Sequence, residues 1–177
     1  MPVRTPHRAM RIRRIIVPAL LLCGIASALG GCVTTRVFRP GMEPGDAVYR
    51  NFRWPVQGTV GSGYGGRGGR HHDGIDILAP EGTPVRAAET GVVTYAGDGL
   101  RGYGNTAVLD HGGGATTLYG HLREIHVRSG DVVAAGTAIG TVGRTGNATT
   151  SHLHFELRLE GRAVDPMNFL PRTDAIR

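Results

Sequence analysis

The stretch SHLHFEL, residues 151–157, sets two histidines one residue apart in an apolar, β-prone run. Strand alternation puts His152, His154 and Glu156 on one face and Leu153, Phe155 and Leu157 on the other. The apolar residues then face a core, and two imidazoles about 7 Å apart at Cα can point at one centre. Neutral imidazole is the commonest metal ligand, yet hydrogen-bonded surface histidines fit a lone His-x-His strand equally well. A third ligand decides between them. HHDGIDI supplies a candidate: with Ile75 and Ile77 facing the core, His72, Gly74 and Asp76 share the opposite face. Fully extended, His72 and Asp76 stand about 13 Å apart at Cα, and Gly74 permits a bend that closes the gap. The register selects His72 over His71 and Asp76 over Asp73. Two imidazole nitrogens, one carboxylate oxygen and an open fourth position form the ligand pattern of a catalytic zinc site rather than a structural one.

These residues need a scaffold, and the sequence from Trp54 to about Pro171 reads as all-β. Candidate strands are TVGSGY, PVRAA, GVVTYAG, NTAVLDH, ATTLYGHL, DVVAAG, AIGTVGR and HLHFELRL, separated by glycine-bearing turns. An internal echo, Gly-x-x-Val-x-Ala at Gly82 and again 48 residues later at Gly130, points to stacked antiparallel hairpins. A short helical turn after Asp165-Pro166 is expected to close one end through Phe169 and Leu170. The expected architecture is a duplicated, barrel-sandwich-like stack with a groove over the metal site. Glycine, 29 of 177 residues, is far above ordinary usage, but the recurring Val, Ile and Leu runs make the chain turn-rich rather than disordered.

The charge is segregated. Five arginines precede residue 32 and all 14 acidic residues follow it, so the +6 of the whole chain falls to +1 without that segment. Basicity therefore belongs to the N-terminus, and the expectation is no nucleic-acid partner. Arginines up to Arg14 followed by the apolar run from Ile15 to Gly31, broken by Pro18, Gly24 and Gly30, read as an export signal. Its end, LGGC, resembles the lipobox of bacterial lipoproteins, which implies a lipidated mature N-terminus at Cys32. The expected layout is a signal at 1–31, a lipidated tether at 32–53, a catalytic domain at 54–171 and a tail at 172–177. Val33 after that cysteine favours the outer membrane by resemblance to Gram-negative sorting rules. Cys23 and Cys32 are the only cysteines. Neither is free in a mature domain, which excludes thiol and disulfide chemistry.

His-x-x-x-Asp at His72 and Asp76, YGHL at His121, and His-x-His at His152 and His154 together resemble the lysostaphin/LytM-type zinc endopeptidases of peptidoglycan. The similarity runs in order over about 115 residues through DGIDILAPEGTPVRAAETGVVTYAG, GYGNTAVLDHG, TLYGHL and GRTGNATTSHLHFELR. The resemblance implies His72, Asp76 and His154 as ligands of one zinc ion per domain, and His121 and His152 as unliganded catalytic histidines. It implies hydrolysis of peptide cross-links between peptidoglycan stem peptides. Zinc lowers the pKa of bound water to roughly 7 and polarises the scissile carbonyl, while a histidine accepts the proton or holds the oxyanion. Which histidine does which stays open. Glu156, on the same face, either orients a ligand from behind or is a surface residue.

The remaining candidates have plainer readings. His111 is expected in a turn or hydrogen-bonding role, His71 and His126 on the surface, and His7 in the export signal. Tyr64, Tyr103 and Asn105 either rim a groove or serve turns. GYGGRG matches Gly-x-Gly-x-x-Gly without a following helix, which excludes a dinucleotide loop. A lipoyl or biotinyl carrier needs an attachment lysine, and all 20 basic residues are arginine. The surviving alternative is a non-catalytic relative that activates a cell-wall amidase.

Overall fold

The computed structural model describes residues 52–172. The export signal, Cys32 and most of the tether lie outside the described residues. Twelve strands and one 3-10 turn make up the described secondary structure. They are β1 (Thr59–Ser62), β2 (Gly65–Arg67), β3 (Arg70–His72), β4 (Ile75–Leu78), β5 (Pro84–Arg86) and β6 (Gly91–Gly97) in the first half. The second half holds β7 (Asn105–Asp110), β8 (Ala115–Ile125), β9 (Val132–Val133), β10 (Ala138–Val142), β11 (His152–Leu159) and β12 (Arg162–Val164). All eight expected strands are present. The largest sheet runs β1-β4-β11-β8-β7-β6-β9, with β10 bridging β5 to β8, β12 on β11, and β2-β3 as a separate hairpin. Every pairing is antiparallel.

One register positions both the core and the histidines. On β4 and β11, Leu153 pairs with Ile77 and Phe155 with Ile75, and all four are buried. Phe155 also faces Tyr119 of β8. Because side chains alternate, the intervening pair, His154 opposite Asp76, must emerge on the other face. A one-residue slip of β11 would turn His154 into the apolar core and Leu153 and Phe155 out of it, so hydrophobic burial fixes the register of the site.

The repeated Gly-x-x-Val-x-Ala frame marks equivalent turns. Thr83 N–H bonds Pro80 O and Asp131 N–H bonds Arg128 O, both at 3.1 Å. Gly82 and Gly130 hold φ of +87° and +95°, which glycine adopts at least cost, and Val85 and Val133 enter the core behind them. The expected bend at Gly74 separates β3 from β4, but its cause differs from the one anticipated. The backbone of Gly74 does not enter the positive-φ region; a Cβ there would lie 2.2 Å from the carbonyl oxygen of Phe155. Glycine is needed for close approach to β11, not for conformational freedom.

The C-terminal turn is the 3-10 segment Pro166–Asn168, capped by the Asp165 carboxylate accepting from Met167 N–H. Leu170 is buried behind it. Phe52 is also in the core, edge-on to His111, and Arg53 N–H bonds Ala88 O, so packing includes the two described residues before Trp54. No helix among the described residues is long and apolar enough to cross a membrane.

Candidate metal centre

Asp76 on β4 and His154 on β11 face each other in register, with His154 Nδ1 2.9 Å from Asp76 Oδ1. His72, the last residue of β3, enters from the hairpin side: its Nε2 lies 3.0 Å from Asp76 Oδ1 and 3.1 Å from His154 Nδ1. One ligand atom from each of the three residues falls within 4.8 Å of the others. The outer nitrogens explain why these atoms converge. His72 Nδ1 is 2.7 Å from the carbonyl oxygen of Gly63, which can only accept, so the proton sits on Nδ1 and the Nε2 lone pair points inward. His154 Nε2 is 3.1 Å from Glu156 Oε1 and donates to it, turning the Nδ1 lone pair inward as well. Two imidazole lone pairs and a carboxylate oxygen at about 3 Å repel one another unless a cation sits among them. Burial alone would lower the pKa of His154, but its hydrogen bonds to Asp76 and Glu156 outweigh that and raise it, so the pocket attracts positive charge. The donor set, two nitrogens and one oxygen with an open side, fits zinc.

His121 and His152 reach the same cleft without joining that triangle. Their ring centroids are 4.8 Å apart, and His152 Nε2 is 3.7 Å from Asp76 Oδ1. His121 arrives through a β-bulge: Asn105 pairs with Leu122 and Ala107 with Tyr119, so Thr106 alone faces Gly120 and His121. His121 takes φ +61° at this bulge, in the left-handed region that few residues other than glycine enter. His121 Nδ1 donates to Thr145 O at 2.8 Å and His152 Nδ1 to Thr150 O at 2.9 Å, leaving both Nε2 atoms directed at the cleft. Burial, reinforced by His152, pushes the pKa of His121 down to about 4, so its ring is neutral at neutral pH.

The cleft, about 410 Å³, holds all five expected residues together. Glu156 is fully buried, which excludes the surface role left open for it. Its carboxylate accepts from Tyr103 Oη at 2.6 Å and Arg158 Nε at 2.7 Å besides His154. Burial would raise its pKa, but these three donors outweigh it and hold it down, so it is ionised. Tyr103, Arg101 and Asn147 also line the cleft.

Of the other candidates, His71 also lines the cleft, with its side chain exposed. Tyr64 stacks edge-on against His71 and donates to Ala163 O, and Asn105, the first residue of β7, donates across to Arg123 O on β8. His111 lies 3.0 Å from Thr90 O and 2.8 Å from the Thr117 hydroxyl, and His126 pairs with Glu124 on the surface. Arg158 was missed by sequence reasoning. Its i+2 spacing from Glu156 on one strand was the available sign, since the two share a face.

The sequence profile described as peptidase family M23 matches residues 70–166. The chain is 43% identical over 119 residues to the "Lipoprotein NlpD/LppB homolog" of Pseudomonas aeruginosa, a match covering 67% of this chain and 39% of that protein. It is 40% identical over 121 residues to "Murein hydrolase activator NlpD" of Escherichia coli, covering 68% of this chain and 31% of that one. The match thus spans less than half the length of either relative. The catalytic domain of the antimicrobial peptidase lysostaphin from Staphylococcus simulans is similar in structure, with a TM-score of 0.59 and 38% identity, covering 63% of this chain and 90% of that one.

Proposed function

Because the chain belongs to peptidase family M23, we propose that it is a zinc-dependent endopeptidase that hydrolyses peptide cross-links of bacterial peptidoglycan. The observation that carries this reading is the convergence of His72 Nε2, Asp76 Oδ1 and His154 Nδ1, each oriented by a partner or pairing outside the triangle. These three residues would hold the zinc ion. When bound, zinc supplies Lewis acidity, polarising a carbonyl and acidifying water to a pKa near 7. The rest of the work falls to the protein. His121 and His152 each have Nδ1 committed to a carbonyl, so a proton taken from the attacking water arrives at Nε2, inside the cleft. From there the same Nε2–H can be donated to the leaving amine.

The products are two shorter peptides, with the glycan untouched. Lipidation at Cys32, outside the described residues, would hold the domain near the membrane and within reach of the wall. Names among the relatives favour a second reading, in which the same fold activates a murein hydrolase. One experiment separates the two. The purified full chain is incubated with defined cross-linked muropeptides, with zinc and with a chelator, and the products are read by mass. Zinc-dependent conversion of dimers into peptide-cleaved monomers is expected. Intact cross-links, together with stimulation of an added amidase, would replace the endopeptidase by the activator.

A further inference from the structure

Glu156 is a carboxylate with no exposed surface on a strand whose other buried residues are mainly apolar, and packing alone favours an apolar side chain there. Its bonds form a directed chain. Oε1 accepts from both His154 Nε2 and Tyr103 Oη, and Oε2 accepts from Arg158 Nε. The same guanidinium continues to Asp73 Oδ2 at 3.4 Å, in the residue next to His72. Tyr103 belongs to the turn between β6 and β7, which is tied to the facing loop by Asn147 N–H bonding Gly102 O at 2.9 Å. Two segments, β11 and the β6–β7 turn, therefore meet at one buried carboxylate, and Arg158 and Gly102 link them on to the segment bearing His72 and to the facing loop.

From this geometry we infer that Tyr103, Glu156 and Arg158 act as a positioning unit that fixes the tautomer and ring orientation of His154 and couples them to the segment bearing His72. A neutral imidazole has one N–H to give. With the Glu156 carboxylate, itself held by Tyr103 and Arg158, within 3.1 Å of Nε2, the proton is held there and Nδ1 presents its lone pair to Asp76 and His72. Without the carboxylate, the proton gains most at Nδ1, as a donor to Asp76, and the ligand atom is lost. Tyr103 occupies a second lone pair of Oε1, and Arg158 holds Oε2, so the carboxylate cannot rotate away. The tautomer claim stands on the protein alone. Its consequence for metal affinity rests on the zinc reading above.

The test uses the full chain purified in detergent with 15N-labelled histidine. In the metal-free protein at pH 9, long-range proton–nitrogen spectra should show His154 protonated at Nε2. Glu156→Ala should move that proton toward Nδ1 and lower zinc affinity, measured by chelator competition, by about 10- to 100-fold. Glu156→Gln, which keeps an acceptor for His154, should restore the Nε2–H tautomer while recovering only part of the affinity. Tyr103→Phe and Arg158→Gln leave the carboxylate in place and serve if Glu156→Ala does not fold; each should weaken zinc by severalfold. An unchanged tautomer and unchanged affinity across these variants would overturn the inference. If the parent binds no zinc but the tautomer still shifts, the positioning role stands and the zinc reading falls.

Discussion

Four of the cleft imidazoles have one nitrogen pinned: His72 by Gly63 O, His121 by Thr145 O, His152 by Thr150 O and His154 by the Glu156 carboxylate. Under the proposed function, ligand and proton carrier would be told apart by which of the remaining ring nitrogens fall in the triangle with Asp76 Oδ1. That of His154 is 2.9 Å from it and that of His152 is 3.7 Å away. Truncating the two histidines should therefore have different effects. His154→Ala should lose bound zinc and hydrolysis together. His152→Ala should keep most of the zinc and lose about 10² to 10⁴ in rate. Leu153, Phe155 and Leu157 on the opposite face pack in the core in both variants, so zinc per folded molecule is a clean measurement. Equal zinc loss in the two variants would mean that both ligate.

At the scale of elements, two irregularities do what regular strands cannot. The bulge opposite Thr106 turns His121 into the cleft. The break at Asp73-Gly74 lets β3 bring His72 back toward Asp76, and it exists because Gly74 lies against the β11 backbone. Gly74→Ala places a methyl group 2.2 Å from Phe155 O, and neither backbone can yield without opening the β4-β11 pairing. We expect a loss of at least about 2 kcal/mol and a Tm lower by roughly 5 °C or more. Zinc affinity should fall with it, because the same pairing sets Asp76 opposite His154. Gly66→Ala is the control: nothing lies within 4 Å of a Cβ there, and Tm should barely change. Thermal melts of the two variants side by side check the contrast; similar melting for both would remove close approach as the reason for Gly74.

For the whole molecule, the expectation concerns where the domain works. Cys32 follows Leu29-Gly30-Gly31 at the end of the apolar run, 20 residues before Phe52, which lies in the core. Cys32→Ser should abolish incorporation of radiolabelled palmitate and move the protein out of the membrane fraction or leave it unprocessed. Unchanged labelling would exclude Cys32 as the anchor. By itself the sequence determined the all-β class, eight of the twelve described strands, and the five residues His72, Asp76, His121, His152 and His154 that meet in the cleft. Local alternation and turn chemistry are written in neighbouring residues, and burial of Ile75, Ile77, Leu153 and Phe155 sends the polar residues between them to the opposite face. Only the tertiary structure decided the rest. The Glu156 network joins Tyr103, Arg158 and Asp73 across as many as 85 positions, and no periodicity encodes such a contact. The reason for Gly74 lies in a carbonyl on another strand, and the rotation of His121 lies in a mismatch between two strands. These are relations between segments, set by how the sheet closes, and a residue's own neighbours in the chain carry no record of them.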